Sequence, residues 1–265
     1  MKRIQLFEFE DQAWFPDWIR VMMTQYMMAF HRILKTSDSL LPLVKKALAS
    51  SEKPVILDLC SGSGGPMVEV YEKLRASGDF GKLRLVLSDL YPNQFAVEEF
   101  NERRGERITY HREPLDASRV PLDLKGVRTM VSSMHHMKPE LARRILRNAR
   151  DAGQPLLVFE ISDNSAPRFL WWLAIPVAFL TSFFVTPLVR PLTLQQLLFT
   201  YLIPILPVFI AWDGAVSNAR TYTMDDMDYL LQGVSSEHYL WETGKIKGKG
   251  GNKLYLLGRP RPVDT

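Results

Sequence analysis

Residues 58–65 read Asp-Leu-Cys-Ser-Gly-Ser-Gly-Gly; they close an apolar run, Val55–Leu59, and lead into a helix-like stretch opened by Pro66. A buried strand that turns at once into a helix leaves few folds open. The turn must be tight, and glycine reaches left-handed backbone conformations without steric cost. Such a unit starts a parallel β-α-β sheet, with the free amides of the helix N-terminus aimed at whatever lies on the turn. A dinucleotide fingerprint would need glycine at 67, where the chain has Met67, so the nicotinamide pattern is incomplete. Two acids stand beside the turn instead: Asp58 at the end of the first strand and Asp89 at the end of the next. A carboxylate in the second place can accept hydrogen bonds from both hydroxyls of a ribose.

The same rhythm continues to about Ser162. Arg84–Leu87, Ile108–His111, Val127–Ser132 and Pro155–Ile161 read as strands. Asn93–Arg103 and Pro139–Ala152 read as helices between them. A helix at Met224–Leu231, capped by Thr223, then precedes strand-like runs His238–Trp241 and Lys253–Leu257. The first 50 residues are mostly helical, after an aromatic opening that includes Trp14 and Trp18. With 265 residues, 23% of them charged, the chain is an ordinary globular size for one large α/β domain with an appended part. The single cysteine, Cys60, excludes an intrachain disulfide or a multi-thiolate metal site and fits a reducing cytosol. The opening MKRIQLFEFEDQ lacks the apolar run of a signal peptide. A formal charge of +4 is too weak a field to demand nucleic acid.

One stretch breaks the rhythm. From Phe169 to Trp212 there are 44 residues with a single charge, Arg190, where roughly ten would be usual. Phe169–Val189 and Pro191–Trp212 are each long enough to cross a bilayer. Five prolines interrupt them, which speaks against straight spanning helices. Two readings stay open: the insert dips into a membrane, or it is a greasy lid and homo-oligomer interface. Both point to an apolar substrate.

The three stretches LDLCSGSGG, VLSDLYP and PLDAS (residues 57–65, 86–92 and 114–118) resemble the ordered motifs of the class I S-adenosylmethionine-dependent methyltransferases. Cys60 stands in place of the first motif's usual first glycine. The resemblance covers 55–162 and resumes at 223–257. It implies a Rossmann-like α/β fold with a seven-stranded, mostly parallel sheet; together with the residue pattern this gives a helical N-terminal cap (1–50) and a methyltransferase domain (51–265) carrying the apolar insert 163–220. It implies S-adenosylmethionine as cofactor and an enzyme that methylates oxygen, nitrogen or carbon. Asp58, Cys60, Ser61 and the Gly62–Gly64 backbone would cradle the methionine end. Asp89 and Leu90 would hold the ribose side, Asp116 and Ala117 the adenine, and Ser132 closes the set after the fourth strand.

His135 and His136 follow that strand, at the sheet end that faces the crevice. Either could take a proton from an acceptor, or both could be packing residues. Trp14, Tyr26, Arg220 and Tyr222 are substrate candidates, though Asp213 and Arg220 are also placed to pair with each other. Lys245, Lys247, Lys249, Lys253, Arg259 and Arg261 make a basic end, read as a solvated tail or an anionic-membrane contact. The acceptor expected from these features is hydrophobic or lipid-like and met at a membrane surface. The rivals are a nucleic-acid methyltransferase, disfavoured by the missing Asn-Pro-Pro-aromatic stretch, and a non-catalytic protein of nucleotide-binding fold that binds a membrane or partner. No metal is expected.

Overall fold

The computed structural model of the chain describes residues 1–78, 80–103, 105 and 107–262. The five strands expected in the first half are present as β1 (Val55–Asp58), β2 (Arg84–Leu87), β3 (Ile108–Tyr110), β4 (Val127–Val131) and β5 (Leu156–Glu160). Two longer strands, β6 (Tyr239–Gly248) and β7 (Gly251–Pro260), complete one sheet in the order β3-β2-β1-β4-β5-β7-β6. β1 runs parallel to both β2 and β4, and β7 alone runs antiparallel to its neighbours β5 and β6. The strand order reverses between β1 and β4, so the crevice of an open α/β sheet opens at the carboxyl ends of these two strands. Gly126 enters β4 with φ +144°, and a Cβ there would meet the Val55 carbonyl oxygen at 2.6 Å. That residue must be glycine for β4 to lie against β1.

Helices cover both faces. In chain order they begin with α1 (Asp17–Ile33), α2 (Thr36–Leu48) and α3 (Met67–Ala76). Next come α4 (Gln94–Glu98), continued by a wider turn to Arg103, and α5 (Pro139–Asp151). α5 buries Ala142, Ile145, Leu146 and Ala149, the i, i+3, i+4, i+7 stripe of a surface helix. On the opposite face α2 and α3 pack Leu40, Leu43, Val44 and Ala47 against Val70, Tyr71 and Leu74. α2 is thus part of the sheet's own layer, whereas α1 buries Ile19, Met22, Met23 and Tyr26 against the apolar insert.

The insert folds as α6 (Ala174–Val185), α7 (Leu194–Leu197) and α8 (Ile205–Arg220), with short 3₁₀ and π turns between them. Phe169–Leu188 forms one helical stretch of 20 residues with mean hydropathy 1.9, and little of it is buried. The second run bends by 83° between Leu202 and Ile205, at Pro204, whose ring cannot continue a helix from the preceding turn. α9 (Met224–Leu231) begins where the capping pattern placed it. Thr223 accepts from the Asp226 amide and Asp226 accepts back from the Thr223 amide.

The C-terminal region corrects two expectations. The last strands are ten residues each, paired from Tyr239↔Pro260 to Gly248↔Gly251. The basic end is therefore not a tail but part of a β-hairpin. Lys253 is buried with Nζ donating to the Ile161 carbonyl, Lys245 pairs with Asp163 at 2.8 Å, and Arg259 lies 3.6 Å from Glu242.

Candidate functional site

The glycine turn is a run of left-handed residues: Cys60, Gly62, Gly64 and Gly65 all have positive φ. Gly64 is required twice over, by φ +103° and because a Cβ would sit 2.8 Å from the Phe100 ring. Three neighbours hold the turn. The Gly62 amide donates to Asp89 Oδ2 (3.0 Å), Tyr110 Oη donates to the Gly62 carbonyl (2.9 Å), and Asn93 Nδ2 donates to Ser63 Oγ (3.2 Å). α1 lies over it, with Thr24 Cγ2 3.5 Å from where a Gly62 Cβ would be.

Asp89 stands at the end of β2, half-buried, its other oxygen accepting the Tyr91 amide (3.0 Å). Each carboxylate oxygen has capacity for a second donor. Leu90 beside it is exposed. Asp116 is half-buried and accepts from both the amide and the hydroxyl of Ser118 at 2.8 Å, and Ala117 between them is buried. Ser132, at φ +51°, ends β4 with a buried hydroxyl that has no hydrogen-bond partner among the described residues. Cys60 is half-buried, its thiol pushed up by burial and the surrounding acids.

Asp58 does something different from cradling a ligand with its side chain. It is 3% exposed, and its oxygens accept from Thr129 Oγ1 at 2.5 Å and Ser61 Oγ at 2.7 Å. Burial pushes its carboxyl up to about 7, partly offset by these two bonds. Asp58 ties the turn to β4 from inside.

The two histidines are adjacent in sequence but differ in setting. His135 is buried, and its Nδ1 lies 2.9 Å from Glu160 Oε2, while Glu160 Oε1 accepts the His135 amide (3.1 Å). Glu160, at the end of β5, is 1% exposed. A carboxylate on Nδ1 fixes the tautomer and leaves the Nε2 lone pair free, the geometry of an oriented base. His136 instead faces acids of the N-terminal segment: Asp11 Oδ1 at 2.9 Å, Glu8 Oε2 at 3.1 Å and Glu10 Oε1 at 3.7 Å. Burial opposes its charge, but these acids outweigh burial and push it up to about 9.

Residues 212–222 hold two of the substrate candidates. Arg220 and Tyr222 are buried. Arg220 and Asp213 take other partners than each other. Asp213 accepts the Phe9 and Glu10 amides, and Arg220 binds Asp11 at 2.6 Å and Glu8 at 3.2 Å while donating to the His136 carbonyl. The N-terminal segment supplies the competing partners. Tyr222 Oη donates to the Met137 carbonyl, under the guanidinium of Arg3. Tyr26 is a core residue of the α1–insert contact, and Trp14 is largely exposed beside Phe9 and Phe15.

Sequence reasoning passed over Glu160, Glu8, Glu10, Asp11 and Arg3. Glu160 left a signal, a lone acid in the apolar run PLLVFEI. The others lie more than 120 residues from the histidines they meet.

No family model matches the chain, and no curated protein matches it in sequence. Solved structures do match in fold. An O-methyltransferase family 2 protein from Planctomyces limnophilus, crystallised with apigenin, superposes with a TM-score of 0.52 at 15% identity, over 92% of this chain and 61% of its own. The pyocyanin biosynthetic protein PhzM superposes with a TM-score of 0.50 at 13% identity, over 85% of this chain and 56% of its own. The chain thus spans less than two thirds of the length of either. It has the Rossmann-like class I methyltransferase fold.

Proposed function

We propose that the protein is an S-adenosylmethionine-dependent methyltransferase acting on an oxygen of an apolar, lipid-like acceptor at a membrane surface. One observation carries the cofactor reading. At the reversal point of the sheet, a left-handed glycine turn, the half-open carboxylate of Asp89 and the unpartnered Ser132 hydroxyl are held by neighbouring strand ends. These residues fit S-adenosylmethionine. The turn offers backbone amides, Asp89 an acceptor for ribose hydroxyls, Leu90 an apolar surface beside it, and Asp116 an acceptor for the adenine amine. When bound, that cofactor supplies a methyl group made electrophilic by its sulfonium. Asp58 keeps the turn in shape through Ser61 and Thr129.

The acceptor needs a group to take its proton. His135 suits this better than His136, because Glu160 holds its Nδ1 and directs the lone pair of Nε2 outward from that contact. Cys60 serves as a small filler.

The apolar surface supports the membrane part of the reading. Val177, Leu180 and Phe184 lie on one exposed stripe of α6, and Leu194 and Leu202 of the second run are exposed as well. Aromatic residues of the N-terminal segment extend it, Phe7 on Trp212 and Trp18 on Phe199, with ring centroids 5.3 and 4.9 Å apart. Exposed apolar side chains in such number mark a surface that meets lipid or a partner. The nucleic-acid alternative is weakened, since Lys253 is buried and Lys245 and Arg259 are paired.

Calorimetric titration with S-adenosylmethionine tests the cofactor, and incubation of membrane lipid extracts with methyl-labelled cofactor tests the acceptor. Label in an organic-phase product is expected. Absence of cofactor binding by folded protein would overturn the enzyme reading in favour of a non-catalytic membrane-binding protein. Label in water-soluble products alone would overturn the lipid-like acceptor.

A further inference from the structure

The cluster beneath the N-terminal segment has a property that methyl transfer does not require. Glu8, His135 and His136 each offer a ligand atom, all within 4.8 Å of one another. Glu8 is fully buried, and neither of its carboxylate oxygens has a hydrogen-bond partner among the described residues. Oε1 lies 3.2 Å from the Arg220 guanidinium and Oε2 lies 3.1 Å from His136 Nδ1, close but not aligned as hydrogen bonds. Its ion pairs with Arg220 and His136 leave the hydrogen-bonding capacity of both oxygens open, a costly condition for a buried carboxylate.

The surroundings are rich in acids. Glu8, Glu10, Asp11 and Glu160 face the histidine pair, with Asp213 behind them on the Phe9 and Glu10 amides. The fixed cations on the other side are Arg220 and Arg3, and Arg3 spends its guanidinium on the His135 and Arg220 carbonyls. Carboxylates outnumber guanidiniums. His135 already carries the outer support that metal-bound histidines show: its Nδ1 is held by a buried carboxylate, which leaves Nε2 as the ligand nitrogen.

We propose that Glu8, His135 and His136 form a binding site for a divalent transition-metal ion of the Zn²⁺ class. Two imidazoles and one carboxylate suit Zn²⁺, Co²⁺ or Fe²⁺ rather than Mg²⁺ or Ca²⁺, which prefer all-oxygen shells. Three protein ligands leave a fourth position open, next to the Asp11 carboxylate. The site joins the N-terminal segment to the turn after β4, so loading also pins residues 8–11 in place. An ion there takes the same lone pair that would accept a proton from an acceptor, and a loaded molecule does not use His135 as a base. The inference does not depend on the methyltransferase reading.

The test uses the full chain, stripped with chelator and then incubated with Zn²⁺ or Co²⁺. After gel filtration, elemental analysis should find one equivalent of metal per chain, and Co²⁺ should show visible bands of low-symmetry coordination. Glu8→Gln should weaken binding by at least about tenfold, and Glu160→Gln, outside the ligand set, by about 10–100-fold. Circular dichroism identifies any variant that fails to fold. In that event the wild-type result decides: one equivalent with Co²⁺ bands and a metal-dependent rise in Tm supports the site. No retained metal in folded wild type, or unchanged affinity in folded Glu8→Gln, overturns it. S-adenosylmethionine titration of the same samples reports separately on the cofactor reading.

Discussion

Placing lysine at both Leu180 and Phe184 should detach the protein from membranes while leaving its fold intact. The two side chains are 60% and 79% exposed, and they sit four residues apart on one face of α6. Neither is a core residue, so replacing them removes little internal packing. In a bilayer the same exposed area would leave water. Full burial of a Leu or Phe side chain is worth about 1.5–3 kcal/mol, so the exposed parts of this pair contribute about 2–4 kcal/mol to membrane partitioning. Lysines that snorkel to the headgroups keep their charge hydrated, so the lost apolar transfer sets the minimum effect. At 1.4 kcal/mol per factor of ten, binding should weaken by about 30-fold to nearly 1000-fold. Cosedimentation with phosphatidylcholine vesicles measures it, and an unchanged Tm with unchanged cofactor affinity certifies the fold. Because Lys253 is buried and Lys245 and Arg259 are paired, only Lys247, Lys249 and Arg261 of the basic end remain exposed to anionic lipid, so anionic lipid and salt should act less than six free basic residues would. Wild-type protein that stays monodisperse without detergent and ignores vesicles would refute the membrane reading. If the double variant unfolds or splits an oligomer instead, the stripe is a lid or subunit interface.

Asp89→Ala should weaken S-adenosylmethionine binding by about 1.5–3 kcal/mol, the loss of hydrogen bonds to a charged acceptor; calorimetry returning wild-type affinity in a folded variant removes Asp89 from the site. Glu160→Gln keeps an acceptor for the His135 amide but loses the charge that stabilises a protonated ring, so turnover should fall about 10²–10⁴-fold with cofactor affinity retained; a loss below tenfold would leave His135 a packing residue. His31 is buried, with Nδ1 3.1 Å from Thr36 Oγ1, and burial with the nearby Lys253 charge lowers it to about 4. The folded state thus prefers the neutral ring, and the stability this confers is complete above the unfolded value near 6.5 and is lost as pH falls from 6.5 to 4. The loss is about 3 kcal/mol. Urea unfolding at pH 7 and pH 4.5 should show it, and His31→Gln should flatten that difference; an equal slope in both proteins would assign the acid sensitivity elsewhere.

The parts of the fold legible in the sequence are those governed by near neighbours. β1, the glycine turn and α3 follow from backbone conformations that few residues can adopt, and α9 from a capping box spanning four residues. The β6–β7 hairpin was half hidden because its outer halves, such as Thr243–Gly248, alternate polar and charged residues without a buried face. What they pair with, Gly251–Leu256, becomes apparent only from the ladder. The histidine pair was visible as a position after β4, but its chemistry was not, because the deciding residues arrive from elsewhere. Glu160 comes from the neighbouring strand, and its acid in an apolar run had a meaning that strand order alone could supply. Glu8, Glu10 and Asp11 read as ordinary solvated charges, since alternating acids and aromatics near an N-terminus carry no periodic signal. The packing of Phe9 and Phe15 on Phe209, with Asp213 accepting the Phe9 and Glu10 amides, carries those acids down onto His136 and Arg220. The aromatic residues of FEFEDQ thus dock the segment on the insert and the acids between them meet the site, so the apolar surface and the histidine pair are coupled through one short stretch. Loosening that stretch, as with Phe9→Ala, should therefore disturb the His136 environment without touching the glycine turn, a separation that histidine NMR and cofactor titration can read on the same sample.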